Sequence, residues 1–99
     1  MIHNLKILKK YADAVNGNAK HFEVRKNDRN FQIGDVVTFT VIDDVQSNPL
    51  NYKAFFISYV LTHEDFPDGI AEGYCVFTIA PLDDGLSFYY SQLRENENG

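Results

Sequence analysis

The chain has 99 residues, 44% of them hydrophobic and 14% aromatic, which is enough apolar surface for one folded domain and too much for a disordered chain. Unbroken apolar runs reach only a few residues, as at 54–57, so no membrane span and no membrane partner are expected. A formal charge of −5 argues against attraction of the whole molecule to a polyanion.

Residues 3–8 alternate as a short strand, with Leu5 and Ile7 on one face. Residues 9–16 read as a short helix, with Ile7, Tyr11, Ala14 and Val15 on one stripe and Gly17 just past its end. Lys9 and Lys10 in its first turn oppose the helix dipole. Residues 21–26 alternate again. Phe22 and Val24 point one way; His21, Glu23 and Arg25 point the other. Residues 27–30 and Gly34-Asp35 are turn chemistry. Three strands follow, at 36–42, 54–63 and 74–80, separated by polar loops at 43–53 and 64–73. The long strand at 54–63 carries Phe55, Ile57, Tyr59 and Leu61 on one face, and is apolar on the other as well. Residues 81–85 read as a turn, and 86–93 as either a last strand or a helical turn. Residues 94–99 are polar and read as a frayed tail outside a single domain at 1–93.

Strands apolar on both faces are buried most simply by closing the sheet. The expected fold is therefore α+β: a small, mostly antiparallel β-barrel with one short helix near the N-terminus. An open sheet with the helix on one side is the alternative.

Charge is divided along the chain. Residues 1–34 hold seven cations against three acids, a balance of +4; residues 35–99 hold two against eleven, a balance of −9. Lys20, Glu23, Arg25, Lys26 and Arg29 fall within ten residues. Glu23 and Arg25 share a strand face, roughly 7 Å apart. A guanidinium held by a carboxylate is a fixed donor fork suited to phosphate or a base edge. The plainer alternative is a Glu–Arg pair bracing a barrel rim.

From Gly17 to Asp35 the chain reads GNAKHFEVRKNDRNFQIGD. This stretch resembles the ASCH family of PUA-like barrels, and most closely an uncharacterised bacterial and phage branch. That branch has the pattern Gly-x-Lys-x-Phe-Glu-x-Arg-Lys-Asn-Asp-Arg-x-Phe-x-x-Gly-Asp. The opening His3-x-Leu5-Lys6-Ile7 and Gly73-Tyr74 extend the likeness over most of the chain. Two features depart from it: the Gly17-to-Lys20 spacing is one residue longer, and Asn51-Tyr52-Lys53 stands where the branch has Tyr-Thr-Gly. The resemblance implies a PUA-like barrel that binds RNA or a modified nucleotide in a cleft beside Lys20. One ASCH group hydrolyses N-acylated cytidines, with a threonine three residues after the lysine as nucleophile. Glu23 occupies that place here, and a carboxylate is a weak nucleophile toward an amide. Lys20, Glu23 and His21 are the residues an enzyme would use, and binding is favoured over catalysis.

The expected ligand-binding set is Lys20, Glu23, Arg25, Lys26, Arg29 and Tyr74. Tyr74 leads the stacking candidates Tyr52, Tyr74, Tyr89 and Tyr90 because it opens a strand after Gly73. His3, His21 and His63 have no zinc-like spacing, and the lone Cys75 offers no thiolate pair, so no metal or cofactor is expected. Cys75, flanked by strand residues, reads as an inert core thiol. The single cysteine and the absence of a basic-then-apolar leader in Met1-Ile2-His3-Asn4 predict a reduced, cytoplasmic setting. A protein-interaction module using the acidic second half is the remaining alternative, and the sequence fixes no oligomeric state.

Overall fold

The computed structural model describes residues 1–97, and side chains through Leu93. Five strands form one sheet: β1 (Ile2–Ile7), β2 (Phe22–Lys26), β3 (Val36–Val41), β4 (Ala54–Thr62) and β5 (Tyr74–Pro81). Their order is β1-β3-β4-β5-β2. β1 pairs with β3 in parallel, and the other three pairings are antiparallel. Helix α1 (Lys9–Asn16) follows β1, a 3₁₀ turn spans Pro49–Tyr52, and helix α2 (Asp84–Glu97) closes the chain. None of the described helices is long and apolar enough to cross a membrane.

β1 and β2 lie at opposite ends of the strand order, yet side chains of β2 and the turn after it bond backbone carbonyls of β1. The sheet is therefore curled into a half-barrel. Its concave side holds a core in which Phe39, Phe77, Ile57, Val37, Val41 and Leu50 are fully buried. The expected barrel-like α+β architecture is present, but the sheet stops short of closure between β1 and β2.

A bulge shapes the curl. The β4–β5 register shifts between Ile57 and Tyr59. Phe55 and Ile57 point inward before it, and Val60 packs on the core after it, while Tyr59 is exposed. The single inward face expected for Phe55, Ile57, Tyr59 and Leu61 is thus broken at Ser58, because an inserted residue reverses the side-chain alternation.

The loop at 43–53 is an internal brace. Asn51 is fully buried; its Oδ1 accepts the Val41 N–H at 2.8 Å and its Nδ2 donates to Asp44 O at 2.9 Å. Asn48 accepts from Leu50 N and Asn16 Nδ2, both at 3.0 Å. Asp43 reaches back 34 positions to accept the Lys9 N–H at 2.7 Å. Leu8 provides no side-chain cap for α1, so this carboxylate takes that place, and Asp13 pairs with Lys9 at 3.0 Å.

The C-terminal segment differs from the sequence expectation. It is neither a strand nor a single turn but a 14-residue helix, and it runs through Glu97, into the stretch read as tail. Asn98 and Gly99 lie outside the described residues. Asp83 accepts the Leu86 N–H at 3.0 Å, an N-cap that the aromatic run Phe88-Tyr89-Tyr90 masked in the sequence. Ser87 and Ser91, four residues apart, are buried, and the small Ser87 lets the helix approach β4 closely. Its hydroxyl bonds both Ala54 N (2.7 Å) and Ala54 O (3.2 Å).

The Phe31-to-Asp35 end of the sequence motif is structural. Phe31 packs edge-on against His3 (4.7 Å between ring centres) and tilted against Phe77 (4.8 Å). Gly34 takes φ +94°, which only glycine adopts readily. Asp35, nearly buried, accepts from His3 Nε2 at 2.8 Å, from Gln32 N at 3.0 Å and from the Met1 ammonium at 3.3 Å. Burial pushes the Asp35 carboxyl pKa up, but these donors together hold it below its ordinary value of 3.8. A depressed carboxylate stabilises the fold above its unfolded value and loses that contribution as pH falls through the folded one. Resistance to urea should therefore fall from neutral pH to about pH 3, and Asp35→Asn should flatten part of that acid limb. Identical limbs in the two proteins would exclude this role.

Candidate binding cleft at the open seam

The seam between β1 and β2 is built from edge backbone. On β2, His21 O accepts from Ile79 N and Asn27 N donates to Gly73 O. Antiparallel alternation then turns the backbone of Phe22, Val24 and Lys26 away from β5, toward the gap. On β1, Met1 O and Ile7 O accept from Val36 N and Ile42 N, so the backbone of Asn4 and Lys6 faces the gap from the other side. Among the described residues no backbone hydrogen bond joins the two strands.

Side-chain cations take the place of that ladder. Arg25 Nη2 donates to Lys6 O at 2.9 Å, and Arg29 Nη1 to Asn4 O at 3.1 Å. Lys20 Nζ donates to Phe22 O at 2.5 Å. An exposed edge carbonyl invites another strand, and charged side chains on it discourage one.

Glu23 anchors two of the three cations. It is 3% exposed. Its Oε1 accepts from Arg25 Nε at 3.0 Å and Nη2 at 2.6 Å, and its Oε2 pairs with the Lys20 ammonium. An unpaired carboxylate at this depth would be strongly unfavourable, and here both oxygens are occupied by charged donors. Alternation explains the inversion of the strand: Glu23 turns inward, so Phe22 and Val24 turn out, and Phe22 is 46% exposed. The apolar pair that alternation placed on one face is the outer pair.

A cleft of about 620 Å³ opens at this seam. Lys20, Glu23 and Arg25 form one wall, Lys6, Ile7 and Leu8 the other, with Tyr11, Phe22 and Val24 around the opening. A second cleft of about 270 Å³ adjoins it, lined by Lys6, Arg25, Lys26, Asp28 and Arg29 beside Asn4, Leu5 and Phe31. Counted together, the two clefts hold five cations and two carboxylates, an excess of three positive charges on an acidic molecule.

The six expected binding residues therefore divide. Lys20, Glu23 and Arg25 meet in the main cleft, and Lys26 and Arg29 lie with Arg25 in the adjoining one. Tyr74 stands opposite Lys26 in the β2–β5 register and lines neither cleft. His21 faces a third cleft of about 340 Å³ with Asn16, Lys53 and Ser87, and its Nε2 bonds Asn18 O at 2.9 Å. Among the described residues no group of three or more His, Cys, Asp or Glu is arranged to hold a metal. Cys75 is fully buried; burial pushes its thiol pKa up, and the nearby Asp28 charge adds to the effect.

Lys6, Tyr11 and Phe22, with the aliphatic Ile7, Leu8 and Val24, are the main-cleft residues that sequence reasoning missed. The available signal was the connection between β1 and α1. Only Leu8 separates them, so the first helical turn hangs over the end of β1, at the mouth of the gap. Tyr11, assigned to the packed stripe of the helix, is 45% exposed there.

A family model described as "Domain of unknown function (DUF3850)" matches residues 2–79. The chain belongs to that family. The matched span includes all five strands up to Ile79, and with them every residue lining the main and adjoining clefts; α2 lies beyond it. No curated protein matches the chain. Among solved structures, the crystal structure of hypothetical protein PH0355 is similar, with a TM-score of 0.55 and 13% identity, over 83% of this chain and 100% of that one. That likeness shows the fold of this DUF3850 domain.

Removing the Glu23 charge should cost stability as well as order in the cleft. Glu23→Gln leaves two cations facing a neutral amide at a buried site, and a loss of about 2 kcal/mol is expected after discounting for the partial exposure of Lys20 and Arg25. The readout is the urea midpoint; a midpoint equal to wild type would show that Glu23 anchors nothing.

Proposed function

We propose that this DUF3850 domain is a PUA-like module of ASCH type, working in the cytoplasm, that binds RNA or a modified nucleotide in the seam cleft. The observation that carries this reading is the Lys20–Glu23–Arg25 triad. It holds two cationic donors in fixed positions on the wall of a cleft whose opening is aromatic and apolar. Donors already held in place lose little freedom when a ligand arrives. The volume suits a small-molecule site, which typically spans about 300–1,000 Å³. Tyr11 and Phe22 offer ring faces to a base, and base–aromatic stacking contributes about 1–3 kcal/mol per base. Lys26 and Arg29 extend the positive surface beside it.

Hydrolysis of N-acylated nucleosides has less support. Glu23 stands where that chemistry uses a threonine, and both of its oxygens are engaged by cations, so neither is open to draw a proton from water. Prolonged incubation of concentrated protein with N4-acetylcytidine should release no acetate; sustained release would make the domain an enzyme.

Binding is tested by anisotropy titration with short labelled RNAs of mixed sequence. Wild type should bind with an affinity that falls as salt rises. Lys20→Ala and Arg25→Ala should each weaken binding by about tenfold, the loss of one charge-assisted contact. Circular dichroism of each variant separates a lost contact from a lost fold. Wild-type protein with no salt-sensitive affinity for any RNA would overturn the proposal.

A further inference from the structure

The two clefts at the seam are chemically unlike, and they share Lys6 and Arg25 as a common wall. In the main cleft the cations are largely committed, and only one Lys20 hydrogen and Arg25 Nη1 are left to meet the polar edge of a ligand. Lys20 serves Glu23 and Phe22 O, and Arg25 serves Glu23 and Lys6 O. What that cleft presents otherwise is apolar: Ile7, Leu8, Tyr11, Phe22 and Val24. It suits an uncharged, flat group. In the adjoining cleft Lys6 and Lys26 are exposed and form no ion pair among the described residues. Arg29 commits only Nη1, to Asn4 O, leaving Nε and Nη2 as donors. Asp28 is the one carboxylate there, and it pairs with none of these cations. Three cations with donors to spare, around about 270 Å³ of space, suit a compact anion.

Resting on the nucleotide-binding reading above, we infer that the ligand is a nucleoside carrying a phosphate, divided between the clefts. The base lies in the main cleft against Tyr11 and Phe22. The phosphate lies in the adjoining cleft, held by Lys6, Lys26 and Arg29. Arg25, at the shared wall, stands between the two groups and fixes their spacing.

The test is calorimetric titration with the four nucleoside 5′-monophosphates, the four matching nucleosides and inorganic phosphate. At least one monophosphate should bind about tenfold or more tightly than its nucleoside, and more tightly than inorganic phosphate. In a Lys6→Gln/Lys26→Gln double variant that preference should shrink to about threefold or less. Both side chains are exposed, so an unchanged thermal midpoint confirms that the variant folds. A trinucleotide with and without a 5′-phosphate identifies the source: dependence on the 5′-phosphate indicates a free nucleotide or an RNA end, and independence indicates an internal position of a strand. Equal affinity for nucleoside and monophosphate overturns the divided site while leaving the cleft as a base-binding site. A preference that survives in the double variant also overturns it, because the phosphate then sits elsewhere. If nucleosides, monophosphates and short RNAs all fail to bind, the nucleotide reading itself falls.

Discussion

A single buried carboxylate organises the seam of this protein. Glu23 sits inside the half-barrel, where a lone negative charge would be strongly unfavourable, and it is tolerated because Lys20 and Arg25 meet it from two sides. The dependence is mutual. Without the carboxylate the two cations would repel each other near a low-dielectric wall; with it they become fixed donors. The same Arg25 Nη2 that bonds Glu23 also donates to Lys6 O, so the charge cluster ties the two edges of the sheet together.

That tie answers the problem every unclosed sheet faces. Two edge strands with inward-facing carbonyls are a template for unwanted pairing. Here the edges stand opposite each other, too far apart to bond directly, and long cationic side chains span the distance. Arginine suits this work because its planar fork serves a carboxylate and a carbonyl at once. The gap that stays open between the strands is the cleft. Architecture and binding site share one origin: a barrel that closes through side chains leaves a hollow where backbone would otherwise be.

The sixteen-residue motif from Lys20 to Asp35 divides along the same line. Its first ten residues, Lys20 to Arg29, build the seam. Its last six hold the core: Phe31, whose N–H is accepted by Asn27 Oδ1 at 3.2 Å, locks onto His3 and Phe77, and Asp35 binds His3. His3 lies on β1, the strand that the arginines also grasp. The motif thus clamps β1 twice, once through charge at the rim and once through aromatic packing beneath it.

Much of this was legible in the linear chain. Two-residue alternation determined which side chains of β2 travel together, turn chemistry marked Gly34-Asp35, and the count of charges by segment located the positive patch in the first third. These are local properties, set by a few neighbouring residues. Three matters were decided only in three dimensions: that Glu23 faces inward while Phe22 and Val24 face out, that Lys6 and Tyr11 join the cleft, and that residues 84–97 form a helix against β4. Each depends on what stands across from the residue. A strand's period is the same whichever face is covered, the edge opposite β2 comes from residues twenty positions away, and the close fit of Ser87 on Ala54 outweighs the strand preference of the aromatic run beside it.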